Sequence, residues 1–129
     1  MPSKKSTRPP PGPRAPQAPK AMDQWDVVIV PFPFSAQPGN KRRPALVLSK
    51  RAFNQHGATV LAMITTAGHH PWPGDVHLTD LKAAGLNAPC QARLKLFTLD
   101  NRLMIKKIGR LAAADQQQVS QQLQTFLPW

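Results

Sequence analysis

Arginine keeps its charge at any relevant pH and grips phosphate oxygens with paired N–H donors. The run Lys41-Arg42-Arg43-Pro44 is therefore the first place in this chain where chemistry on a phosphate could sit. Pro44 biases Arg43 toward an extended backbone, so Arg43 stands where a loop enters a strand, a rigid base for an active side chain. Taken alone, such a run is as readily a solvated sheet edge. Thr65-Thr66 closes an apolar stretch just before Gly68. A hydroxyl there can meet a phosphoryl oxygen or orient a nucleophile, or merely satisfy the backbone of the turn. His69, His70 and His77 lie close together, and His56 stands apart in a polar stretch. Imidazole moves protons near neutral pH, and histidines on a loop also suit contact with RNA. Trp72, between Pro71 and Pro73, can stack on an unpaired base or cover an apolar patch. Arg93, Lys95, Lys106, Lys107 and Arg110 would give a hairpin a basic face, fit for a phosphate track or simply for solubility. Neither H-x-E nor C-x-x-C occurs, so no metal site and no cofactor are read. Cys90 reads as structural.

The 129 residues are enough for one domain. Lys and Arg number 17 against six acids, all Asp, for a formal charge of +11. Such a charge draws polyanions, either nucleic acid or an acidic protein, and is silent on fold. A single cysteine excludes an internal disulfide and fits a reducing compartment. No apolar run approaches the roughly 20 residues of a membrane span, and the basic N-terminus lacks the apolar core of a secretory signal. The expectation is a soluble, cytoplasmic protein without a membrane partner. Residues 1–21 hold seven of the 15 prolines and five of the 17 basic residues, with no acid, aromatic, Ile, Leu or Val. Such a segment cannot bury enough apolar surface to offset its ordering entropy. Residues 1–22 are thus expected to be a disordered Pro-rich basic tail, with Met22 as the real start of translation, and 23–129 the folded domain. That domain keeps twelve basic residues against six acidic.

The elements that must carry these side chains are short. Val27-Val28-Ile29-Val30 is β-branched and reads as a strand. The prolines of Pro31-Phe32-Pro33-Phe34 push it to a sheet edge. Residues 35–41 read as a loop, Ala45-Leu46-Val47-Leu48 as a second strand and residues 59–65 as a third. Residues 67–75 are loop-like, and Val76-His77-Leu78 reads as a short strand. Thr79 or Asp80 can cap a short helix over Leu81-Lys82-Ala83-Ala84, closed by a left-handed Gly85 and its hydrophobic contact Leu86. Residues 93–98 and 102–108 read as two more strands about a turn at Asp100-Asn101. A helix over 113–127 ends the chain, with Val119, Leu123, Phe126 and Leu127 as its apolar stripe and Asp115 at its positive end. Ala112 leaves that helix without a capping acceptor. The sum is an α+β domain built on a small barrel of mostly antiparallel strands.

The ordered set resembles the MazF/PemK toxin family. The stretches that carry the likeness are Trp25 through Phe34, Lys41 through Ser49, Ala62-Met63-Ile64-Thr65-Thr66, Asp80 through Leu86, Ala92 through Asp100, and Gly109-Arg110-Leu111. The resemblance implies an SH3-like, MazF-type barrel, a homodimer and metal-independent cleavage of single-stranded RNA. In that chemistry the ribose 2′-hydroxyl attacks the adjacent phosphate and leaves a cyclic phosphate and a 5′-hydroxyl. It places the family's catalytic Arg on Arg43, in proton transfer and phosphate binding, and its hydroxyl on Thr65, against the charged phosphorane. Lys41, Arg42, Thr66, His69, His70, Trp72 and Lys95 are then the expected RNA contacts. An acidic antitoxin is the implied partner, with DNA binding by the complex. Three positions depart from the family pattern: Trp25 in place of Gly, Ala112 in place of a capping Ser or Thr, and Lys95 with Phe97 in place of Gln and Arg. The first is expected to alter its turn or cover it with the indole. Two other classes fit the same chain: a non-catalytic poison of a DNA topoisomerase, acting through its terminal helix, and an RNA-binding module without activity.

Overall fold

Continuous apolar runs let the inner strands of this chain bury both of their faces. Val27, Leu46, Ala62, Ile64 and Ala92 go to one face of the sheet. Val28, Val30, Ala45, Val47 and Leu61 go to the other. The computed structural model describes residues 21–32, 41–68 and 70–128. The tail expected at the N-terminus falls, but for its last two residues, outside them, as do residues 33–40, His69 and Trp129.

The elements are β1 (Asp26–Phe32), β2 (Lys41–Val47), α1 (Arg51–Asn54), β3 (Ala58–Thr66), β4 (Val76–His77), α2 (Leu81–Ala84), β5 (Cys90–Asp100), a 3₁₀ turn (Asn101–Leu103), β6 (Lys106–Arg110) and α3 (Ala113–Phe126). The strands form one antiparallel sheet in the order β4-β5-β3-β2-β1-β6. Ala84, Val119 and Leu123 of α2 and α3 close its first face, and Met22, Phe97, Leu103 and Met104 pack on the second. This is the expected α+β class, a curled sheet with a short helix and a terminal helix.

Several elements differ from the sequence reading. β1 is an inner strand, not an edge: it pairs with β2 and with β6. Its proline is tolerated because β6 reaches only as far as Ile29, opposite Lys106. Pro31, opposite Arg42, lies past that end. Lys41 opens β2 instead of closing a loop, and Leu48 lies just beyond the strand. The residues expected as a strand from Arg102 begin instead as the 3₁₀ turn. Asp100 caps it by accepting from the Arg102 N–H at 2.9 Å, and β6 starts only at Lys106. α1 was not legible, since four residues carry too little periodicity to be seen.

α2 forms as expected. Asp80 accepts from the Ala83 N–H at 2.9 Å, and Gly85 closes the helix at φ 75°. A Cβ on Gly109 would meet the Ala84 carbonyl carbon at 2.3 Å, so glycine lets α2 rest directly on the backbone of β6. α3 buries Val119 and Leu123, but Phe126 and Leu127 of the expected stripe are exposed. Asp115 does more than face a helix dipole. It is buried, and its carboxylate accepts from the Thr79 N–H and Oγ1 and from the Asp80 N–H, at 2.8–3.1 Å. It thereby ties α3 to the turn that follows β4.

Ala112 is the N-cap of α3, in extended backbone and without a side-chain bond. Ala112→Ser places an acceptor there and is expected to add about 1 kcal/mol of stability. Thermal unfolding should then shift upward by about 5 °C.

Candidate functional site

Arg43 stands on the part of β2 that pairs on one side only. β2 meets β1 from Lys41 to Leu46, with Arg43 opposite Val30. It meets β3 only at Ala45, Leu46 and Val47. Pro44 explains the break, because it has no N–H to give the ladder. The β2–β3 ladder ends at Ala45 opposite Met63, so Arg43 and Thr65 each lie two residues beyond it on neighbouring strands. Both side chains then lie on the face of Ala45 and Leu61, by strand alternation. Arg43 is exposed, and Thr65 is half-buried at the end of β3.

The same alternation divides the expected RNA contacts. Lys41 shares the face of Arg43 and Thr65, whereas Arg42 and Thr66 point to the opposite face. Residues adjacent in sequence therefore lie on two faces of the sheet end.

Two further residues join the row. Thr65 pairs with Gln91 of β5, and Gln91 pairs with His77 of β4. The Gln91 side chain is 3% exposed and donates from Nε2 to Thr65 Oγ1 at 3.4 Å. His77 is exposed. The row His77–Gln91–Thr65–Arg43 thus crosses four strands at one end of the sheet. Gln91 escaped the sequence reading, because only the strand register brings it to Thr65.

The loop beside this row is latched from below. Arg93 is 8% exposed, and it donates from Nε and Nη2 to Asp75 at 3.1 and 3.0 Å and from Nη2 to the His70 carbonyl at 2.7 Å. Asp75 also accepts from the Trp72 N–H at 2.9 Å. Burial pushes the Asp75 carboxyl up, but the bonds from Arg93 and Trp72 outweigh it and hold it below the usual carboxylate range. Arg93 is thus a structural cation and not part of a phosphate track. Lys107 and Arg110 are likewise engaged, each 3.2 Å from buried Asp26.

Trp72 is 41% exposed, and its Nε1 donates to the Leu94 carbonyl at 3.4 Å. Lys95 Nζ lies 4.4 Å from the ring centroid, a cation–π contact on the ring expected to stack a base. Lys95 comes there because β5 bulges: the partners of Ala62 and Met63 are Leu96 and Arg93, leaving Leu94 and Lys95 as extra residues. His70 is exposed, and His69 lies outside the described residues. Burial raises the Cys90 thiol, which suits an inert core residue. Among the described residues, no three His, Cys, Asp or Glu side chains converge as a metal site would need.

Charge completes the picture. Asp23, Asp26, Asp75 and Asp100 each pair with a cation. Asp80 caps α2, and Asp115 binds the Thr79 turn. None of the ion pairs among the described residues involves Lys41, Arg42 or Arg43. The end of the sheet that carries Arg43 and Thr65 keeps its positive charge uncommitted.

The strands thus form a curled antiparallel sheet with α2 and α3 on one face, an α+β domain. A chain of known structure from Deinococcus radiodurans, solved as a MazE–MazF complex, has the same fold with TM-score 0.66 and 25% identity. The match covers 83% of this chain and 96% of that one. Mycobacterium tuberculosis toxin MazF-mt6 matches with TM-score 0.62 and 22% identity, over 78% and 93%. A mycobacterial endoribonuclease solved with its cognate antitoxin matches with TM-score 0.64 and 20% identity, over 84% and 99%. No curated protein sequence matches. The model of the PemK-like, MazF-like toxins of type II toxin–antitoxin systems matches residues 23–127, and the chain belongs to that family.

The latch gives a direct test. Asp75→Asn removes one partner of a mostly buried ion pair and should cost about 3 kcal/mol, read as a lower melting temperature. In the wild type the lowered Asp75 pKa adds stability above the unfolded carboxylate value. That stability is lost as pH falls through the still lower folded value. Acid should therefore change Trp72 fluorescence in the wild type and not in the variant.

Proposed function

We propose that this protein is the toxin of a type II toxin–antitoxin system and acts as a metal-independent endoribonuclease on single-stranded RNA. The observation that carries the reading is that Arg43 and Thr65 lie on one face of neighbouring strands, just past the end of their ladder, where Lys41, Arg42 and Arg43 form no ion pair among the described residues. Arg43 grips the scissile phosphate and serves proton transfer on the leaving side, donating toward the 5′-oxygen, while the 2′-hydroxyl proton passes to water. Thr65 donates to the phosphorane oxygen that gains charge as the 2′-oxygen attacks. The 2′-O–P bond forms as the 2′-hydroxyl loses its proton. The P–O5′ bond breaks as the leaving oxygen takes one up. The products are a 2′,3′-cyclic phosphate and a 5′-hydroxyl.

Lys41 extends the phosphate contacts on the same face, and Arg42, Thr66, His70 and Lys95 serve strand segments that pass around the sheet end. The family match supports an antitoxin partner, as do neighbours solved as MazE–MazF complexes. An acidic segment of such a partner would cover the uncommitted cations and exclude RNA. The homodimer and action in the cytoplasm follow from the same family reading. Among the described residues no helix is long and apolar enough to cross a membrane. A second reading, a poison that binds a DNA topoisomerase through α3, draws on the exposed Phe126 and Leu127.

Purified protein incubated with a long single-stranded RNA in EDTA should give discrete fragments with 5′-hydroxyl ends. Arg43→Ala should lower the rate by at least about 100-fold while leaving thermal unfolding unchanged. Intact RNA in the presence of wild-type protein would remove the ribonuclease reading, and loss of supercoiling activity from added topoisomerase would then favour the second.

A further inference from the structure

We infer that Gln91 is a positioning residue that aims the Thr65 hydroxyl proton at the scissile phosphate. The inference rests on the ribonuclease reading above and deepens its site. Gln91 is 3% exposed, sits opposite Thr65 in the β3–β5 ladder and donates from Nε2 to Thr65 Oγ1 at 3.4 Å. A buried amide is costly to leave unpaired, so this contact constrains both side chains.

A threonine hydroxyl has one proton and two acceptor positions. A donor from Gln91 fills an acceptor position, and the proton cannot then point back at the amide nitrogen. It must turn to another acceptor, and half-buried Thr65 leaves room for a phosphate oxygen to be that acceptor. A phosphate oxygen accepts only, so Thr65 can serve it solely as a donor. Gln91 thus selects the one hydroxyl orientation the reaction uses. Glutamine does so without titrating, which keeps that orientation independent of pH.

The test compares Gln91→Leu with Gln91→Glu in the full chain, each alone and combined with Thr65→Ala. Gln91→Leu frees the hydroxyl to rotate and should lower kcat about tenfold with little change in KM. Gln91→Glu reverses the bond, because an ionised carboxylate draws the Thr65 proton to itself. It should lower kcat about 100-fold at pH 8. A buried carboxyl has a raised pKa, and once protonated it can donate to Thr65 again. The deficit of Gln91→Glu should therefore shrink as pH falls, whereas that of Gln91→Leu stays constant. The groups facing this position are His77 of β4, Arg93 of β5, Asp75 of the loop and Arg43 of β2. All four are present in wild type and variant alike, so the ratio of variant to wild type at each pH isolates the new carboxyl.

In the Thr65→Ala background neither Gln91 substitution should reduce the rate further. Equal, pH-independent deficits for the two variants, or full deficits that persist without the Thr65 hydroxyl, would overturn the inference and leave Gln91 a packing residue. The affinity of a 2′-O-methyl RNA, which cannot be cut, separates this outcome from failure of the underlying reading. If wild-type protein binds that RNA but cuts no unmodified RNA of the same sequence, the ribonuclease reading falls. The pH-dependent loss with Gln91→Glu is then sought in Kd, and its absence overturns the Gln91 inference as well. Wild-type protein that neither cuts nor binds RNA overturns both.

Discussion

β3 is held by nine paired positions to β5 on one side and by three to β2 on the other. A slip of one residue along β3 would exchange its two faces. Leu61 would leave the second core for the first, Ala62 and Ile64 would leave the first for the second, and Thr65 would turn away from Gln91. Both cores resist that slip, because both faces of the strand are buried and the two sets of side chains differ in size. The site is therefore fixed by hydrophobic packing at some distance from it. Thr65 lies at the end of a strand whose register is set by Leu61, Ala62 and Ile64, and that register brings it to Gln91.

The bulge in β5 is the second consequence of that register. Two extra residues between the partners of Ala62 and Met63 let the strand continue past the core and still present Arg93 to Asp75. The loop before β4 is then held by charge-assisted bonds, which are stronger than neutral ones. Every acidic side chain in the chain is engaged in local structure, and a positive excess remains at the sheet end where β2 and β3 part. In a protein with six acids and 17 cations, the placement of the acids decides where the field is strong. Asp26, 2% exposed between Lys107 and Arg110, neutralises the β6 edge in the same way.

Much of this was legible in the sequence because it depends on short-range signals. The β-branched run of β1, the Asp80 and Gly85 ends of α2, the uncapped start of α3 and the exposed Arg43 before Pro44 all follow from local chemistry. What escaped depends on register or on distant partners. Gln91 has no local mark, and its meaning arises from the strand beside it. Arg93 reads as one more surface cation until Asp75, 18 residues away, is brought beneath it. The basic run at Lys41-Arg42-Arg43 misleads for the opposite reason, since strand alternation separates neighbours that composition groups together. Pro31 misleads because the rule that excludes proline from inner strands applies only where a partner strand is present on the side of the missing N–H.

Trp25 shows how a departure from the family pattern can be absorbed without changing the fold. It takes the left-handed conformation, φ 76°, that glycine takes freely. For a side chain of this bulk the conformation costs roughly 1–2 kcal/mol. The surrounding bonds leave the backbone no alternative. The Trp25 N–H donates to the Val47 carbonyl at 2.8 Å, the Leu111 N–H donates to the Trp25 carbonyl at 2.9 Å, and Asp26 accepts from the Asp23 N–H at 2.8 Å. The turn therefore joins the start of β1 to the end of β2 and to the approach to α3. The indole is 8% exposed and packs in the first core. Burying a side chain of that size contributes about 3 kcal/mol or more, which offsets the strain. Both effects expected of this substitution are thus resolved in one direction: the turn keeps its glycine-like backbone, and the indole covers it.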